Sequence, residues 1–142
     1  MGFNEKLLGL ASSGITATDH FGVNIWSGNG ASDRTIATGF NMALDGGFAW
    51  VKKRTGTGGK DHILSHSLDG TADPFFLYPN LALVETSAGA NNQIQDFVST
   101  GFTVNPSAYT NASGSTYVSW AWKGGGITPS SLSGGTITPS AS

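Results

Sequence analysis

The stretch Asp61-His62-Ile63-Leu64-Ser65-His66 gathers a carboxylate, two imidazoles and a hydroxyl within six residues. Such a set could chelate a metal or arm a nucleophile. On a helix, histidines four apart share one face and can hold an ion. On a strand, which the alternation favours, they also share a face but stand about 13 Å apart at about 3.3 Å per residue. That is too far for one ion unless the strand bends. Ser65 and His66 are strand neighbours and point to opposite faces, which argues against a Ser–His pair. The nine carboxylates form no tight cluster, and Asp69 and Asp73 sit in "LDGTADP", where Asp serves the turn. Nothing marks two of them as the pair a glycan hydrolase needs. "GTGG" at 56–59 with Lys60 lacks the setting and the ending of a phosphate loop. The chain has no cysteine, which removes disulfides, thiolate metal sites and thiol nucleophiles. The expectation is a protein without catalytic, metal-binding or cofactor-binding residues.

The remaining chemistry is aromatic. In "TYVSWAWKGGG" (116–126), Val118, Trp120 and Trp122 share one face of a strand, opposite Tyr117, Ser119, Ala121 and Lys123. "FAWVKK" repeats the design, with Phe48, Trp50 and Lys52 opposite Ala49, Val51 and Lys53. Exposed rings with polar neighbours would make a sugar platform, whereas buried rings would be core. The face bearing Ser119 and Lys123 reads as wet and the Val/Trp/Trp face as dry, so Trp50, Phe102, Val118, Trp120 and Trp122 are expected in the core. A carbohydrate-binding module, using aromatics and amides at the loop ends, is the rival reading. It predicts glycan binding that is lost on Trp26→Ala.

The elements that must position these residues are short. The runs "VNIW", "RTIATGF", "GFAWVKKR", "DHILSHSL", "PFFLYPNLALVE", "QIQDFVS", "GFTV" and "STYVSWAWK" are separated by Gly, Asn and Asp at the spacing of a sandwich or barrel. Their pattern predicts an all-β chain, an antiparallel two-sheet sandwich of jelly-roll or lectin-like type over 15–123. Before it, residues 1–14 read as an arm whose Phe3, Leu7, Leu8 and Leu10 form an apolar assembly set. The arm matches neither a signal peptide nor an N-myristoylation motif. After the sandwich, 124–142 repeats "ITPS" without a charge and reads as a linker or tail. A chain of 142 residues suffices for one domain with a real core. Net charge is −2 and only 11% of residues are charged, so a nucleic-acid surface is not expected. The polar surface must come from Ser, Thr, Asn and Gly, a composition commoner in extracellular and assembly proteins. No apolar run is long enough to span a membrane as a helix.

Residues 35–70 and 97–126 resemble a family found in tailed-phage virion proteins, common in marine phages, in tail fibres and related structural proteins. Gly39 and Phe40 match its first turn; Trp50, Val51, Lys52 and Arg54 match the strand after it. Asp61, His62, Leu64 and Gly70 match a third segment, and Gly101, Phe102 and Thr103 a "GFT" strand. Asn111, Gly114, Tyr117, Val118, Trp120, Trp122 and Lys123 match the closing strand. Ser65-His66 stand where the family has Phe-Asp, and Asp69 where it has Arg. The resemblance implies a lectin-like sandwich without established activity, in a virion assembled in the host cytoplasm. It implies a structural role in a tail fibre or appendage, with head decoration as the alternative. The expected partners are other virion proteins and further copies of the chain, a trimer in preference, with a host surface glycan as a further one.

Overall fold

The computed structural model describes residues 16–44, 46–67, 74–87 and 93–124. The arm set Phe3, Leu7, Leu8 and Leu10, and the tail beyond Gly124, lie outside the described residues. Among the described residues, a 3-10 turn at Ala17–Asp19 leads into nine strands. These are β1 (Phe21–Ser27), β2 (Arg34–Ala37), β3 (Gly47–Thr55), β4 (Ile63–His66), β5 (Phe75–Leu77), β6 (Thr86–Ser87), β7 (Ile94–Val98), β8 (Gly101–Val104) and β9 (Thr116–Lys123). They form two antiparallel sheets, a six-stranded one in the order β1-β9-β3-β4-β5-β6 and a three-stranded one in the order β2-β8-β7. The fold is an all-β sandwich.

Seven of the eight apolar runs become strands close to their expected bounds. The run 74–85 does not hold together. After Phe75–Leu77 the chain turns at Tyr78-Pro79, with Leu81 N donating to Tyr78 O at 3.0 Å. Pro79 has no N–H to continue a ladder. At the other hairpin, Gly101 has φ +154, and a Cβ there would meet Ile36 O at 2.1 Å. Only glycine lets β8 leave the turn from β7 this close to β2.

The core lies between the sheets, and its composition inverts the expected facing of β3 and β9. Ala49, Val51, Tyr117, Ser119 and Ala121 point inward and are fully buried, with Ile63 and Ser65 beside them. The three-stranded sheet brings Ile36, Ile94, Phe97, Phe102 and Val104 against them, and the β2–β3 connection adds Phe40 and Met42. Phe102 is in the core as expected. Trp50 and Trp120 are only half-buried on the opposite face, and Trp122 is exposed. Val118 is buried but lies in that outer row, between Ile25 and Lys52 across the strands.

Space and hydrogen bonding together account for the inversion. The three-stranded sheet supplies bulky inward side chains, so the middle of the six-stranded sheet must be thin, and Ala49, Ala121, Ser65 and Ser119 make it so. The two inward rings of the six-stranded sheet that carry polar tips, Tyr117 and Trp26, have them satisfied. Tyr117 Oη accepts from Ala112 N at 3.0 Å and donates to Ala108 O at 3.2 Å, while Trp26 Nε1 donates to Thr110 O at 3.0 Å. Both tips reach the β8–β9 connection, so an apparently wet face is a sealed one.

Candidate functional site

What remains outside is the outer face of the six-stranded sheet. Its register produces three rows of side chains. Phe21, Trp122, Phe48, His66 and Phe75 form the first; Val23, Trp120, Trp50, Leu64 and Leu77 the second; Ile25, Val118 and Lys52 the third. Apart from His66 and Lys52 these are apolar. Val23 and Ile25 are 52% and 63% exposed, and Trp122 is 37% exposed. Trp122 sits between Phe21 and Phe48 at centroid distances of 5.2 and 5.4 Å, tilted by 48° and 50°. Trp50 and Trp120 meet at 5.4 Å and 55°. The rings lean on one another and do not form a coplanar platform.

The rim of this face carries the titratable groups of the 61–66 stretch. Trp50 Nε1 donates to His62 Nδ1 at 2.8 Å, which fixes that nitrogen as an acceptor. Burial lowers the His62 pKa below its ordinary value, the nearby Lys52 charge lowers it further, and Asp61 opposes both. Lys52 Nζ donates to Lys60 O. Asn80 ties the loop by donating to Asp61 Oδ1 at 2.7 Å and accepting from His62 N at 3.0 Å. His66 Nε2 lies 3.6 Å from Glu85 Oε1. The histidines thus serve separate partners, and among the described residues no group of three His, Asp or Glu side chains is placed to hold a metal ion.

Two residues singled out in the sequence have structural duties. Trp26, the ring offered for sugar stacking, is buried and stacks on Tyr117 at 5.6 Å with a 24° interplanar angle. It therefore cannot face a ligand. Asn111 is fully buried and makes four hydrogen bonds. Its Nδ2 donates to Asn29 Oδ1 and Ala31 O at 2.9 and 2.8 Å, and its Oδ1 accepts from Asn29 N and Arg34 Nη1 at 3.2 and 3.1 Å. One buried amide thereby ties the β1–β2 connection to the β8–β9 connection. Sequence reasoning missed this because Asn in a glycine-rich loop looks like any turn residue.

No curated protein and no solved structure matches the chain. A domain family of unknown function, DUF7483, matches residues 16–142, which spans the whole sandwich and the stretch after it. The chain belongs to the DUF7483 family.

Proposed function

We propose that this chain is a non-catalytic structural protein of a tailed-phage virion, a component of a tail fibre or related appendage. In this reading it works by protein–protein contact, chiefly with further copies of itself. The resemblance carried by residues 35–70 and 97–126 supplies the virion assignment, and the outer face of the six-stranded sheet supplies the mode of action. A sheet face meant for water alternates toward polar side chains. This one carries Val23, Ile25 and Trp122 in the open beside half-buried aromatic neighbours. Contiguous apolar surface of this kind marks a docking site.

A second copy is the occupant that fits. Among the described residues β1 ends its sheet, so an unpaired strand edge adjoins Val23 and Ile25. A net charge of −2 leaves little repulsion between identical chains. The tilted rings, at 48° to 55° to their neighbours, suit interdigitating side chains better than a flat sugar. The test is light scattering on the full chain with and without Val23→Asp plus Ile25→Asp, paired with mass spectrometry of purified particles. The expected result is an oligomer that the double variant reduces to a folded monomer, and a chain present in the particles. A wild-type monomer at high concentration would refute the self-association, and absence from washed particles would refute the virion role.

A further inference from the structure

Arg34, Val104 and Ile94 are cross-strand neighbours, so the segments next to them in the chain emerge at one end of the three-stranded sheet. There they enclose a recess of about 560 Å³, lined chiefly by Ser32, Gln93, Asn105, Pro106, Ser107 and Tyr109. Pockets for small ligands run roughly 300–1,000 Å³. Among the described residues the lining is amide, hydroxyl and ring, with no carboxylate. Beside it, Lys60 rests its Nζ 5.1 Å over the Tyr109 ring.

Several polar groups of this lining are only partly used. Asn105 Oδ1 accepts from Asp33 N at 3.1 Å, which leaves its Nδ2 as a donor. Ser107 Oγ accepts from Tyr109 N at 3.1 Å, which leaves its proton to give. Gln93 is 7% exposed, and its Nε2 donates to Tyr78 Oη at 3.4 Å. Its Oε1 is buried without a partner among the described residues. Turning the amide over would only move the deficit to the nitrogen, since Tyr78 can serve one amide atom at a time. The Tyr78 hydroxyl stays protonated, its pKa pushed up to about 12, first by burial and then by neighbouring Tyr109. Buried polar groups in folded proteins are nearly always paired, so an orphan on a residue that lines a recess points to a ligand.

That ligand must bring a donor to the Gln93 amide oxygen, which a rotation of the amide turns toward the recess, acceptors to Asn105 Nδ2 and the Ser107 hydroxyl, and an apolar side toward Pro106 and Tyr109. Among the described residues the lining offers no acidic group to meet a cation and no clustered positive charge to meet a phosphate. We propose that the recess is a binding site for a neutral saccharide, whose hydroxyls donate and accept at its rim while its C–H faces are apolar. The site is built by the connections around the three-stranded sheet and owes nothing to the outer face of the other one, so it stands apart from the assembly reading.

The experiment titrates the full chain with a panel of neutral hexoses, N-acetylhexosamines and their short oligomers, followed by calorimetry and by the side-chain amide ¹H–¹⁵N signal of Gln93. At least one sugar should bind and move that signal in the unsubstituted protein. Gln93→Met, which keeps length and removes the acceptor, and Asn105→Ala should each weaken binding roughly tenfold or more. Trp122→Ala should leave it intact. The proposal is overturned if no sugar of the panel binds, if the Gln93 signal stays still during saturable binding, or if Trp122→Ala alone abolishes it.

Discussion

Replacing Tyr117 with Phe removes one oxygen atom and keeps the ring. Tyr117 is fully buried, stacked on Trp26, and its hydroxyl serves two backbone groups of the β8–β9 connection. Each such hydrogen bond contributes about 0.5–1.5 kcal/mol net, and a buried partner left unpaired costs about 1–3 kcal/mol. The Ala112 N–H and Ala108 C=O belong to partly buried residues, so water will recover some of the loss. Release of the phenol hydroxyl from burial offsets a little more. The net destabilisation expected is about 2 kcal/mol. For a chain of this size that lowers Tm by roughly 6–10 °C. Urea denaturation and calorimetry measure the total, and hydrogen exchange at Ala112 localises it. Because Trp26 anchors the same connection through Thr110 O, exchange should rise across that connection and not across β3. A loss below about 0.5 kcal/mol with Ala112 still protected would refute the view that the hydroxyl seals this end of the core.

Three further outcomes are expected. Trp122→Ala should cost about 1–2 kcal/mol, because the ring is only partly withdrawn from water, whereas Trp26→Ala should cost the 3–5 kcal/mol typical of a core aromatic; equal costs in urea melts would contradict the assigned facing. His62 has a folded-state pKa depressed below 6.5, so the unfolded chain takes up that proton first as pH falls. Stability should hold above about 6.5 and decline below it, and His62→Gln should flatten that part of the Tm-versus-pH curve. Gly101→Ala should destabilise by roughly 2–4 kcal/mol, since it combines a disfavoured φ with a Cβ pressed on Ile36 O; a stability change within about 0.5 kcal/mol would mean that the β7–β8 turn readily re-forms.

The strands were legible in the sequence and their facing was not. Glycine, asparagine and aspartate mark where "VNIW", "GFAWVKKR", "GFTV" and "STYVSWAWK" must stop, and chain turns obey those residues locally. Facing depends on what the second sheet brings. In β9 both parities offer large rings, Tyr117 on one side and Trp120 with Trp122 on the other. Hydrophobicity alone favours the tryptophans. The deciding facts are non-local: the bulk of Phe102 and Met42 across the core, the small Ala49 beside Ala121, and acceptors and donors at 108–112 that suit a tyrosine tip. The same limit hid the recess. Ser32 is distant in the chain from Gln93 and Asn105, which flank the β7–β8 hairpin, and the register of β2, β8 and β7 brings the three together.

This arrangement divides labour between the two layers. On the six-stranded sheet, each strand presents one row to the core and the next to the outside, so β9 seals the interior with Tyr117 while leaving Trp122 exposed on the outer face. The three-stranded sheet gives its bulk wholly to the core, and its connections are left to hold polar groups such as Gln93 and Asn105. The core lies between these regions as a packed slab about 10 Å thick. A copy docked on the outer sheet face would therefore leave the loop recess open, since the two surfaces belong to different layers. Under the two proposals the sandwich would assemble through one face and meet a ligand at its end, without either contact requiring the fold to move.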